Sequence, residues 1–142
     1  MNGYLVDTNI PSELTRQQPT TVVVDFLRHT DKSKLFLSVM TIGEICKGID
    51  LLPASQKRTD LQKWLQTDVR SWFVDRIPPV SEAIAERWGH LAAVARKQGV
   101  SVPVVDGIIA ATALEHKLTL VTRNTKDFTG LGLKLFNPWD AA

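Results

Sequence analysis

The chain has 142 residues, 44% of them hydrophobic and 23% charged, with a formal net charge of +2 at pH 7 and a pI near 8.8. That size suits one domain spanning residues 1–142, burying roughly 70% of its unfolded surface, and no apolar run approaches the ~18 residues of a membrane span. A single cysteine, Cys46, and the lack of any Cys/His cluster argue against disulfide scaffolds and zinc modules, a cytoplasmic setting is expected, and the mild basicity permits a nucleic-acid partner without requiring one.

Met1 leads directly into an apolar strand, Gly3 to Val6, with no secretory leader expected, and the strand ends in Asp7-Thr8-Asn9. Pro11, Ser12 and Glu13 mark a helix start, and Pro19 breaks the chain before Thr20 and Thr21. Val22, Val23 and Val24 favour a strand by β-branching, but Val22, Val23, Phe26 and Leu27 also make a helical face, and helix is the reading adopted. Leu35 to Val39 reads as a strand, followed by a helix from Thr41 and Glu44 through Ile45 and Ile49 to about Leu52 and Pro53. Ser55 caps a longer helix whose Leu61, Trp64, Leu65, Val69 and Trp72 recur at three- and four-residue steps. Phe73 to Ile77 reads as a short strand closed by Pro78 and Pro79. Ser81 caps a helix with Ile84, Trp88, Leu91, Ala92 and Ala95 on one face, and Gly99 stands where a C-terminal glycine belongs.

The stretch after Pro103 is the most informative. Asp106 opens a helix whose Ala110, Ala111 and Ala113 let it lie close against a sheet, and Leu118 to Thr122 follows as a strand. Leu133 to Phe136 supplies a last strand before Asn137-Pro138-Trp139. Strands alternating with helices over the whole chain predict an α/β fold, a mostly parallel sheet with helices on both faces.

In such a sheet ligands bind beyond the carboxyl ends of the strands. Asp7, Glu44, Asp106, Asn124 and Asp127 all fall at strand ends or helix starts and so converge on that rim, although the sequence scatters them. Oxygen donors of this kind suit Mg²⁺ or Mn²⁺, ions that activate water and stabilise the leaving oxygen in phosphodiester cleavage. Each residue also has a plainer role. Asp7 fits an Asx-turn, Thr41-Ile42-Gly43-Glu44 a capping box, Asp106 an N-cap, and Asn124 and Asp127 ordinary turns. Arg16, Lys47, Arg123 and Lys126 are candidate phosphate contacts near the rim, or merely solvated cations. His29, His90 and His116 lack a Ser or Cys nucleophile nearby.

Five segments together carry a family likeness: Leu5-Val6-Asp7-Thr8-Asn9, Ser38 to Ile45, Asp106-Gly107-Ile108-Ile109-Ala110-Ala111-Thr112-Ala113, Thr122 to Phe128, and Asn137-Pro138-Trp139. In this order and spacing the chain resembles the PIN-domain ribonucleases of bacterial toxin-antitoxin systems, the VapC toxins, and within them the FitB type. The resemblance implies a three-layer α/β/α fold with about five strands, and an acidic site that binds Mg²⁺ or Mn²⁺ to hydrolyse RNA. It implies Asp7, Glu44 and Asp106 as catalytic and metal-binding acids, with Asp7 and Asp106 as direct ligands, Asn124 as a further catalytic residue and Asp127 in support. At the fourth position the FitB type has an aspartate where this chain has Asn124, whereas other members place an acid where Asp127 stands. Asn9 and Thr122 are expected to support waters or carboxylates. A VapB-like antitoxin partner, a homodimer, and operator DNA reached through the antitoxin are also implied. The alternatives are a PIN-like module that binds RNA or antitoxin without cutting, and a haloacid-dehalogenase-like phosphatase, for which Asp7-Thr8-Asn9 lacks the second acid of D-x-D.

Overall fold

Four short strands form one parallel sheet in the order β2-β1-β3-β4: β1 is Gly3–Val6, β2 Leu35–Leu37, β3 Leu118–Val121 and β4 Leu135–Phe136. The structure is a computed structural model that describes residues 3–141. Val6 stands beside Leu37 on one side and Val121 on the other, and Val121 beside Phe136, so all four strands finish level with one another. This register puts Asp7, Ser38, Thr122 and Asn137, each the next residue along, on a common edge.

The two-residue period of the strands divides the core. Tyr4, Val6, Leu35, Leu37, Val121 and Phe136 belong to one apolar cluster, with Val23 and Leu27 of α2 (Thr21–His29) and Ile45 and Ile49 of α3 (Val39–Asp50). Leu5, Phe36, Leu118, Leu120 and Leu135 belong to the other, with Ile109, Ala110 and Ala113 of α7 (Val104–Glu115) and Leu91 of α6 (Glu82–Lys97). The expected α/β/α layering follows. The ambiguous valines form a helix because Val23 and Leu27 share a buried face at a four-residue step. α1 is a single short helix, Asn9–Glu13.

Among the described residues the sheet has four strands, not five, because Phe73 to Ile77 is not a strand. This stretch follows α4 (Gln56–Trp64), a π-helical stretch Leu65–Val69 and the three-residue turn α5 (Arg70–Trp72). Asp75 has φ +63°, which breaks an extended run, and the segment gives β2 only one backbone bond, Leu37 N–H to the Arg76 carbonyl at 3.0 Å. The Arg76 side chain covers the same edge by donating to the Leu35 carbonyl at 3.0 Å. Local composition favours a strand here, but the left-handed residue and a guanidinium replace the ladder.

Ser38, Ser55 and Ser81 each cap a helix, accepting from the N–H of Met40, Arg58 and Ile84 respectively. Gly99, at φ +80°, ends α6 as expected: Val100 N–H returns to the Ala95 carbonyl and Gly99 N–H to that of Arg96.

Candidate active site

Asp7 continues the sheet for one residue, its N–H bonded to the Val121 carbonyl at 2.9 Å, before the chain turns into α1. Its carboxylate is buried but served by two donors: Thr8 N–H on Oδ1 at 2.8 Å and Thr122 Oγ1 on Oδ2 at 2.8 Å. No Asx-turn forms. Burial pushes the Asp7 carboxyl above its ordinary pKa, the Thr122 and Thr8 bonds pull it back, and Glu44 and Asp127 push it up again. Thr122 is itself held by the N–H of Asn124 at 3.0 Å, while the Asn9 amide lies 3.4 Å away and accepts from Arg123 N–H at 3.3 Å. Asn9 and Thr122 thus tie the two strand ends together beside Asp7.

Glu44 does not complete a capping box. Ser38 is the N-cap, so Thr41 is only the third residue of α3 and Glu44 lies in the second turn, beyond the reach of the helix's free N–H groups. Glu44 Oε1 instead accepts from Thr8 Oγ1 at 2.6 Å, with Thr41 Oγ1 3.4 Å from the same hydroxyl. Asp106 is not an N-cap either, because Pro103 takes that position and α7 starts at Val104. Burial first, then the charges of Asp7, Glu44 and Asp127, raise the Asp106 carboxyl from 3.8 to about 6, and no hydrogen bond offsets them. Four carboxylates from four separate stretches of chain therefore share one electrostatic neighbourhood.

Asn124 and Asp127 part company here. Asn124 is exposed and precedes the 3-10 turn Thr125–Phe128, its side chain capping nothing. Asp127, also exposed, contributes charge to both Asp7 and Asp106. The proposed phosphate contacts separate as well. Arg16 pairs with Glu13 at 3.4 Å, and Arg123 lies over the Trp139 ring, 5.1 Å from its centroid. Lys47 and Lys126 are exposed, Lys47 one turn beyond Glu44 on α3.

Thr8 and Thr41 are polar residues that site-directed reading of the sequence missed. Thr8 had a signal, its place directly after Asp7, whereas Thr41 looked like a helix cap. A hollow of about 530 Å³ between α6, α7 and Gly130-Leu131 contains none of the four acids. The acids lie on the open rim instead.

The donor set fits a hard divalent cation. Among the described residues no Lys, Arg or His forms a salt bridge with Asp7, Glu44, Asp106 or Asp127, so their charge is uncompensated. Nor do three His, Cys, Asp or Glu side chains among the described residues form a ready cage for one ion. Mg²⁺ does not need such a cage, since it keeps several waters and binds through one or two carboxylates. Free carboxylates that repel one another also have no reason to close up by themselves.

A parallel three-layer domain with carboxylates gathered beyond its strand ends defines an α/β protein whose ligands enter at that rim. The PIN domain family model matches residues 4–131, and the chain belongs to the PIN-domain family. It is 36% identical over 135 residues to Toxin FitB of Neisseria gonorrhoeae, covering 95% of this chain and 97% of that protein. It is 33% identical over 138 residues to VapC ribonuclease Y4jK of Sinorhizobium fredii, covering 97% and 99%. The structure of FitAB bound to an IR36 DNA fragment superposes with a TM-score of 0.89 at 34% identity, covering 96% of this chain and 95% of that one. Family and topology together displace the haloacid-dehalogenase-like alternative.

Proposed function

We propose that this chain is the toxin of a type II toxin-antitoxin system, an endoribonuclease that hydrolyses RNA phosphodiester bonds with Mg²⁺ or Mn²⁺. The observation that carries the reading is the convergence of Asp7, Glu44, Asp106 and Asp127 without a balancing cation. The relatives' names, a toxin and a ribonuclease, agree with it. Asp7 and Asp106 would hold the ion directly, and Glu44 and Asp127 would orient its waters. When bound, the ion supplies a water activated at neutral pH and neutralises charge developing on the phosphate.

The protein's own groups do the rest. The bonds from Thr8 and Thr122 keep Asp7 oriented and favour its ionised form. Asp106, raised to about 6 without a cation, would be held as the carboxylate beside one, so loading the site would release a proton when the pH is near that value. Asn124 stands at the fourth acidic position of the FitB type and offers only a neutral carbonyl, leaving Asp127 as the remaining acid on that side. A cognate VapB-like antitoxin would neutralise the rim by placing an arginine among the carboxylates. A homodimer, and operator contact through the antitoxin, complete the reading. FitAB on DNA is the relative that motivates the operator contact.

The test is cleavage of labelled RNA by the purified chain in Mg²⁺, beside Asp106→Asn. Products from the wild type alone are expected. Tight RNA binding without products at high protein concentration would favour the non-cutting PIN module.

A further inference from the structure

Thr8 precedes α1 with helical backbone angles, φ −52° and ψ −36°, so its hydroxyl is not turned toward the first-turn N–H groups and makes no cap bond. Its Oγ1 instead donates to Glu44 Oε1 at 2.6 Å, across 36 positions of sequence. Its backbone N–H holds Asp7 Oδ1 at 2.8 Å. One residue therefore grips two of the converging acids, one through its main chain and the other through its side chain. The Oγ1 of Thr41, fully buried, lies 3.4 Å from the same hydroxyl as a more distant second acceptor. The hydroxyl has only one proton, and the shorter, charge-assisted bond to the carboxylate takes it.

We propose that Thr8 is a positioning residue: its hydroxyl sets the Glu44 carboxylate at a fixed separation from Asp7, which its own N–H holds, so that both are in place before a divalent cation arrives. The proposal rests on the metal-dependent reading of the site. Because the Asp7 bond comes from the backbone, a side-chain substitution isolates the Glu44 half of the device.

The experiment compares Thr8→Val, which keeps the shape and loses the hydroxyl, with Thr8→Ser, which keeps the hydroxyl. Glu44→Ala is made alone and combined with Thr8→Val. Mn²⁺ affinity is read by titration calorimetry, RNA cleavage is followed against Mg²⁺ concentration, and melting in EDTA confirms that each variant is folded. Thr8→Val is expected to bind Mn²⁺ roughly tenfold more weakly, the lower end of what a lost supporting bond costs a metal site. KM for RNA at saturating metal should stay unchanged. Thr8→Ser should behave as wild type, and Thr8→Val should weaken Glu44→Ala no further. The positioning role is overturned if Thr8→Val titrates as wild type, if Thr8→Ser is as impaired as Thr8→Val, or if the double variant is additive. Wild type that neither binds Mn²⁺ nor cuts RNA would instead bring down the functional reading beneath it.

Discussion

Asp106→Asn should make the metal-free protein more stable while abolishing cleavage. The carboxyl is raised from 3.8 to about 6, which corresponds to at most about 3 kcal/mol of unfavourable interaction in its charged form. Asp106 is only half-buried, so solvent screening reduces this to about 1 kcal/mol. For a chain of 142 residues that is a melting rise of roughly 3 °C in EDTA at pH 7.5. The sign follows from proton linkage. Between pH 3.8 and about 6 the folded state holds a proton that the unfolded state has lost, so this group's contribution to stability falls as pH rises through that window. The advantage of asparagine should therefore be roughly halved at pH 5 and nearly gone near pH 3.8. Mg²⁺ at ten times its Kd should stabilise the wild type by about 1.4 kcal/mol and the variant far less. Differential scanning calorimetry at the three pH values, with EDTA and with Mg²⁺, measures all of this. A variant that melts at or below the wild type in EDTA at pH 7.5 would refute the claim that uncompensated charge crowds this rim.

Thr122→Val removes the donor to Asp7 Oδ2, so the Asp7 carboxyl should rise further and the acid limb of the cleavage pH profile move upward, with activity down about tenfold or more. Gly107→Ala puts a Cβ 2.7 Å from Trp88 Cδ1, beside Asp106, and should cost about 1–3 kcal/mol in denaturant unfolding as α6 and α7 are forced apart. Glu13→Ala strips the buried carboxylate that accepts from Thr20 N–H at 2.8 Å and Thr20 Oγ1 at 2.9 Å, and should cost about 2 kcal/mol with metal binding unchanged by calorimetry.

The layers were legible because periodicity is local: Leu61, Trp64 and Val69 recur on one face, and Ala110 and Ala113 leave room for the sheet. So were the caps at Ser55 and Ser81, and Gly99. What escaped depends on neighbours distant in sequence. Phe73 to Ile77 has the composition of a strand, and only Arg76 lying along β2 shows why it forms none. The helix expected from Ser55 to Trp72 carries a π-helical stretch at Leu65–Val69 that the three- and four-residue steps could not reveal. The capping-box pattern at Thr41 and Glu44 misled because Ser38, three residues earlier, captures the helix end first. In the site, Asp7, Glu44 and Asp106 could be placed on one rim from topology alone. The grip of Thr8 on Glu44 could not, since nothing in either residue's surroundings in sequence announces the other. Arg16 and Arg123 looked free until Glu13 and Trp139 were seen beside them.

The most direct measurement is anomalous scattering from crystals of the chain grown with Mn²⁺. A peak bonded to carboxylate oxygens of both Asp7 and Asp106, absent in Asp106→Asn crystals, is the expected result. A well-ordered rim that shows no peak at saturating Mn²⁺, or one only at surface carboxylates such as Asp50 or Asp60, would contradict the account.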